Sequence, residues 1–284
     1  MIFSSDGLQW TEDEANMVTS LKGLVGAEIK VIGPTTDQHS GLHGGAIANP
    51  LMAISQLVAS MKDEKGKITI NGFYDDVLEL TEEDRADIAR VPYNEAEYIK
   101  ELDVTELHGE EGYSTRERLW ARPTLDVNGI WGGYQGLGSK TVHPSEASVK
   151  ITCRLVDNQN PEKIYELIRK HVKEKLPVGV KSEVIRLAGS ADPFVMPRSH
   201  NANQIARDVL QEVYEMVPYN TRVGGSIPIM TIFLKELGVY GIMFGFSVGD
   251  ENLHAPNEFF RLKNFRRGQE AYCKLLYKLG EQSL

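Results

Sequence analysis

Ala147-Ser148-Val149-Lys150-Ile151-Thr152-Cys153-Arg154-Leu155-Val156 alternates side-chain character along the chain. A period of two is that of a strand with one face in a core. Val149, Ile151, Cys153 and Leu155 are therefore expected inside, with Lys150, Thr152 and Arg154 on the opposite face. Just downstream, Asn160-Pro161-Glu162 has the residues of a helix start, and Ile164, Leu167, Ile168 and Val172 follow at helical spacing. Residues 181–187 read as another strand. Upstream, residues 25–33 form a strand with Ala27, Ile29 and Val31 facing one way and Glu28 and Lys30 the other. Asn49-Pro50 then caps a helix whose stripe is Leu51, Ile54, Val58 and Met61, and residues 67–73 read as a second short strand. The result is a βαβ…βαβ pattern over roughly 20–187, an α+β sheet with helices on one face.

The flanking regions differ. Residues 74–124 are acidic and irregular, and predict one or two surface helices with Glu82-Glu83 and Glu110-Glu111 on solvated faces. Residues 125–137 are Gly-rich and aromatic. After 188–193 come a helix through Ile205, Val209, Leu210, Val213 and Met216, a Gly224-Gly225-Ser226 turn, a helix from Ile229 to Leu237 and an apolar strand, 239–246. A loop holding His254 follows, and Asn257-Glu258 is expected to open a terminal helix. Alternating helix and apolar strand suggests half of an α/β sheet. Met1 to Gly7 resembles the end of a buried strand turning into a loop, so an N-terminal segment is expected to precede it.

Composition narrows the classes. The chain has 284 residues, 41% of them hydrophobic, enough for a sizeable core. A net charge of −9 with no basic stripe argues against nucleic acid as partner. No apolar run reaches the roughly 18 residues of a membrane span, and the acidic N-terminus does not suit an export signal. Cys153 and Cys273 lack metal spacing and suggest a reducing, cytoplasmic setting.

Several residues invite a chemical reading. His254, on a loop at a strand end, suits a metal ligand or is an ordinary loop histidine. His39 lies in the Gly-rich run His39-Ser40-Gly41-Leu42-His43-Gly44-Gly45. Arg154, on the polar face of its strand, suits a carboxylate clamp or is a surface arginine. Gly224-Gly225-Ser226 before a helix offers free N–H groups to a carboxylate, or Ser226 is a plain N-cap.

Four stretches in order carry a family likeness: Asp37-Gln38-His39-Ser40-Gly41 with Gly44-Gly45; Lys140-Thr141-Val142 with Arg154-Leu155-Val156; Gly224-Gly225-Ser226-Ile227-Pro228; and Leu253-His254-Ala255-Pro256-Asn257-Glu258. The chain resembles the di-zinc aminopeptidase-like hydrolases that include carnosinase and related dipeptidases, acetylornithine deacetylase and succinyl-diaminopimelate desuccinylase. The likeness is greatest to the carnosinase-like dipeptidases.

The resemblance implies an α/β catalytic domain of zinc-exopeptidase type, here incomplete, into which a lid with a βαββαβ-like sheet is inserted. Residues 1–19 would be a catalytic-domain remnant, 20–187 the lid and dimerisation domain, and 188–284 the C-terminal part of the catalytic domain. It implies Asp6 and His254 as ligands of two zinc (or manganese or cobalt) ions. It implies His39 as a donor reaching the partner's active site to polarise the scissile carbonyl, and Thr141, Arg154, Gly225 and Ser226 as substrate binders. In the intact enzyme zinc-bound hydroxide would cleave dipeptides, and the lid would form a homodimer.

This sequence also departs from the family. None of its seven histidines opens a His-x-Asp, and its two Glu-Glu pairs fall inside the lid. Few or no metal ions and little activity are therefore expected of this chain alone. Val223 stands where carnosinase-like enzymes often carry an acid, which leaves the substrate open. Alternatives are a non-catalytic dimerisation or binding module of the same fold, and a deacylase of N-acyl amino acids.

Overall fold

The computed structural model describes residues 1–281. They form two compact units, one of residues 22–78 with 99–193, the other of residues 1–21, 79–98 and 194–281.

The first of these holds the motif on which the sequence reading turned. In chain order, β1 (Ile2–Ser4) and β2 (Asn16–Leu21) belong to the other unit, and β3 (Gly23–Ile32) opens this one. It continues with β4 (Gln38–His39), the one-turn α1 (Ser40–His43) and α2 (Pro50–Ala59). Asn49 caps α2 by accepting the Leu51 N–H at 2.9 Å, and Pro50 takes the first helical position, as expected. After α3 (Glu82–Arg90) of the other unit, and α4 (Glu95–Leu102) on the boundary, come α5 (Thr115–Ala121), β5 (Thr124–Gly132), β6 (Val142–His143) and β7 (Glu146–Leu155). Helix α6 (Pro161–Lys175) and β8 (Lys181–Arg186) close the unit. The main sheet has the order β5-β7-β3-β8 and every pairing is antiparallel. With α2 and α6 in their places, the chain order is βαββαβ.

Burial sorts the two faces of this sheet. Val25, Ala27, Ile29 and Val31 of β3 and Val149, Ile151, Cys153 and Leu155 of β7 are fully buried against α2 and α6. The opposite face is polar, with Lys30–Glu146 and Lys150–Glu28 ion pairs at 2.6 and 3.8 Å.

Three expectations change here. Residues 67–73 form no strand. Ile68, Ile70 and Phe73 do enter the core, but their backbone bonds are local, from Thr69 N–H to Met61 O and from Phe73 N–H to Ile70 O, and Gly66 and Gly72 turn the chain with φ of 77° and 82°. The missing fourth strand is β5, an edge strand with a bulge at Val127–Gly129 that follows no simple alternation. Glu110, expected on a solvated face, instead makes a two-pronged ion pair with buried Arg122, at 2.9 and 2.8 Å. The guanidinium also lies over the rings of Tyr74 and Tyr113, at 5.1 and 4.3 Å.

The second unit adds β9 (Phe194–Val195), α7 (Asn201–Tyr214), β10 (Tyr219–Val223), α8 (Pro228–Leu237), β11 (Gly241–Met243) and α9 (Leu262–Glu281). β1 and β11 pair in parallel, and β10-β2-β9 make a mixed sheet. Met17, Leu21, Val209, Leu210, Met230, Phe244 and Leu275 lie in one core. Residues 79–98, read from sequence as part of the lid, are held in this unit by charge. Arg222 meets Asp84 at 2.6 Å, and Asp87 takes the Asn220 amide at 2.7 Å. The expected strand 239–246 is regular only over β11, and α9 begins at Leu262 instead of at Asn257-Glu258, which lies at a turn closed by the Glu258 N–H on Ala255 O. Among the described residues no helix is long and apolar enough to cross a membrane.

Candidate functional site

The 22–193 unit carries His39, Thr141 and Arg154. β4 and β6 pair antiparallel with His39 opposite Val142, and the Ser40 N–H donates to Thr141 O at 3.0 Å. His39 and Thr141 are thereby brought side by side on an exposed hairpin-like edge. His39 is the N-cap of α1, and its Nδ1 accepts the Gly41 N–H at 3.1 Å. A neutral imidazole that accepts at Nδ1 carries its proton on Nε2, so the free edge of the ring is a donor. A Cβ at residue 41 would sit 3.0 Å from the His39 ring, so any larger residue there would push the ring aside.

The base of the same loop is pinned by Asp37, which sequence reading left without a role. It accepts the Ser145 N–H at 2.9 Å and the Ser145 hydroxyl at 3.0 Å. Those two bonds, the backbone one foremost, hold its carboxyl below the usual range. Arg154 lies on the half-buried polar face of β7, opposite Leu24 of β3 and Thr124 of β5. Its charge, after burial itself, helps depress the ammonium of Lys22, which is 3% exposed, to about 7.

The other unit carries Asp6, Gly225, Ser226 and His254. Asp6 follows β1 and is exposed. His254 is exposed at the tip of the loop after β11, with φ of 59°. Among the described residues no hydrogen bond or ion pair engages either side chain, so a carboxylate and an imidazole, both ligand types that zinc takes, are free to contribute to a metal site. No three such side chains converge among the described residues, so these two are contributors and not a full ligand set. Ser226 is not the cap of α8. Ile227 occupies that position with no side-chain cap bond, and Pro228 opens the helix without an N–H.

Glu251 is a second residue that sequence reading missed. It is fully buried three positions before His254, and its carboxylate ties together the two ends of the His254 loop. Nothing in an acidic run such as Asp250-Glu251 marks one member as buried.

Known proteins resemble this chain over most of its length. The peptidase dimerisation domain matches residues 19–180. The Cys-Gly metallodipeptidase DUG1 of Candida albicans is 32% identical over 90% of this chain and 52% of its own length. The Beta-Ala-His dipeptidase of Rattus norvegicus is 25% identical over 99% of this chain and 57% of its own. Among solved structures, the M20 family metallo-carboxypeptidase Sso-CP2 from Sulfolobus solfataricus superposes with a TM-score of 0.83 at 29% identity, covering 97% of this chain and 62% of that one. The chain thus spans about half the length of the curated relatives it matches.

Proposed function

The chain belongs to the M20 peptidases through its peptidase dimerisation domain, and from that premise we propose that it serves metal-dependent hydrolysis of dipeptides. Its part is to pair two subunits and to grip the substrate. The observation that carries this reading is the state of His39, an exposed ring with Nδ1 tied to Gly41 and Nε2 left as a donor. A donor held in advance at a developing oxyanion is a large source of rate. His39 would act on the carbonyl of a substrate held by the partner subunit. Thr141 and Arg154 would bind the substrate, with the Arg154 guanidinium matched to a carboxylate, and the amides around Gly225 and Ser226 would receive the terminal carboxylate. Asp6 and His254 would contribute to the metal site, with further ligands supplied from outside the described residues. A metal bound there would polarise the scissile carbonyl and activate water.

The test uses the assembled enzyme, this chain together with the polypeptide that supplies the remaining ligands, and dipeptide and N-acyl amino acid substrates side by side. His39→Ala should lower kcat for the dipeptide about 10²- to 10³-fold with little change in KM. Mixing His39→Ala with His254→Ala subunits should restore turnover, because each mixed dimer then keeps one site with both groups. An unchanged kcat in His39→Ala would contradict the donor role. Failure of the mixture to recover would contradict action across the dimer.

A further inference from the structure

The loop from Val248 to Arg261 adopts a conformation that its own backbone disfavours. Asn252, His254 and Asn257 all lie in the left-handed region, with φ of 54°, 59° and 64°. None is a glycine, and each such residue costs free energy unless its surroundings hold it there. The loop has little regular pairing of its own, chiefly turn bonds such as Ala255 N–H to Asn252 O at 3.0 Å.

One side chain spans the whole loop. The Glu251 carboxylate, 0% exposed, accepts the Val248 N–H at 3.1 Å on one oxygen. On the other it accepts the Arg261 N–H at 3.1 Å and the Arg261 guanidinium at 3.2 Å. Its backbone carbonyl takes the Phe259 N–H at 3.2 Å. Arg261 carries the connection outward, to Asp250 at 2.7 Å and to Glu12 at 3.5 Å, in the segment that follows Asp6. Gln9 of that segment also donates to Gly245 O at 2.7 Å. The stretches bearing the two free metal-ligand candidates are thus bonded to each other through Glu251–Arg261–Glu12 and through Gln9.

We propose that Glu251, with Arg261, is a positioning residue for His254. Its buried carboxylate staples both ends of the loop and so fixes the backbone from which His254 projects before any metal arrives. The proposal rests on the reading of His254 as a metal donor. A carboxylate is needed because three donors converge on its two oxygens, and it can only accept. Glutamine in the same space would turn an N–H₂ toward one of those donors, releasing one end of the loop and leaving Arg261 without its buried partner.

The experiment compares the full chain with Glu251→Gln and with Arg261→Lys, which keeps the charge but loses the fork. Two readouts are taken: amide hydrogen exchange, and ¹⁵N-histidine spectra during titration with Zn²⁺ alone. In Glu251→Gln the Val248, Phe259 and Arg261 amides should exchange at least about tenfold faster, the loss of one charge-assisted hydrogen bond, while the β7 amides stay as protected as before. The Zn²⁺ concentration that half-shifts the His254 ring signal should rise by about the same factor. Arg261→Lys should move both quantities in the same direction by less. Loop amides as protected in both variants as in the unaltered chain would overturn the staple. Faster exchange with an unchanged Zn²⁺ midpoint would overturn the positioning role. A His254 signal in the unaltered chain that ignores Zn²⁺ would overturn the proposal that the loop readies His254 for metal ahead of the other ligands, while the exchange rates would still decide the staple and the donor reading would rest on the assembled enzyme.

Discussion

Gly245→Ala should destabilise the chain by about 3 kcal/mol, the upper end of what overpacking costs, and lower its melting midpoint by about 10 °C. A Cβ at this position would lie 2.3 Å from Gly7 O, 2.6 Å from Gly7 N and 2.7 Å from Ser5 O. All three are backbone atoms, so no side chain can swing aside. Relief requires the stretch from Ser5 to Gly7, just after β1, to move away from the segment that follows β11. The Phe244 N–H to Ser4 O bond at 2.7 Å and the Gln9 contact to Gly245 would both be strained. Gly249→Ala is the matched control. A Cβ there meets nothing within 4 Å, so its unfolding free energy should stay within about 0.5 kcal/mol of the unaltered chain. Urea unfolding of the two variants checks the pair, and equal stabilities would contradict the close approach at Gly7.

The second large effect is a rise in stability with pH. Lys22 is buried, with its ammonium on Arg122 O at 2.6 Å and Arg118 O at 3.2 Å, and its pKa falls from 10.5 to about 7. Burial is the main cause, Arg154 adds repulsion, and Asp126 offsets only part of it. Between those two values the unfolded chain binds a proton that the folded chain does not, so the unfolding free energy increases as pH rises from about 7. Below pH 7 the penalty is constant. The gain from pH 7 to 8.5 should be about 1.5 kcal/mol. Above about pH 8.5 the Cys153 thiol, which burial pushes far above its usual range, acts in the opposite sense, and near pH 10 Tyr74 and Tyr214, both pushed up to about 12 by burial, join it. His171, which burial holds below its usual range, acts only on the acid side of the window. Lys22→Met should flatten the profile between pH 7 and 8.5, although it leaves the two carbonyls without a donor. A profile of the unaltered chain that is flat across that window would refute the buried-ammonium account.

What the sequence could and could not disclose follows from how each residue meets solvent. β7 and β3 were legible because one face of each is fully buried and the other charged. The caps at Asn49 and Asn160 were legible because capping is local chemistry, and both accept the N–H groups expected of them. β5 was not, since an edge strand exposes Val127, Ile130 and Trp131 and so carries no clean period. Residues 67–73 misled for the opposite reason. Their apolar side chains do reach the core, but from turns whose hydrogen bonds are local. Two capping boxes, Thr81 with Asp84 and Ser114 with Glu117, mark the starts of α3 and α5 and were readable from spacing alone. The candidate site divides in the same way. His39, Thr141, Arg154 and His254 stand in motifs. Glu110 and Glu251 look like surface acids in the sequence, and only tertiary burial shows them as the partners of Arg122 and Arg261.

The claim on which the functional account stands is that the dimerisation domain joins two copies of this chain, so that His39 can serve its partner. β5 is bonded to β7 on one side only, and its apolar side chains lie open at that edge, the kind of edge that folded proteins cover. Sedimentation velocity of the full chain at tens of micromolar, with Ile130→Lys beside it, tests this directly. The account predicts a species of twice the chain mass that becomes monomeric in Ile130→Lys. A strictly monomeric unaltered chain, or a dimer indifferent to the lysine, would contradict it.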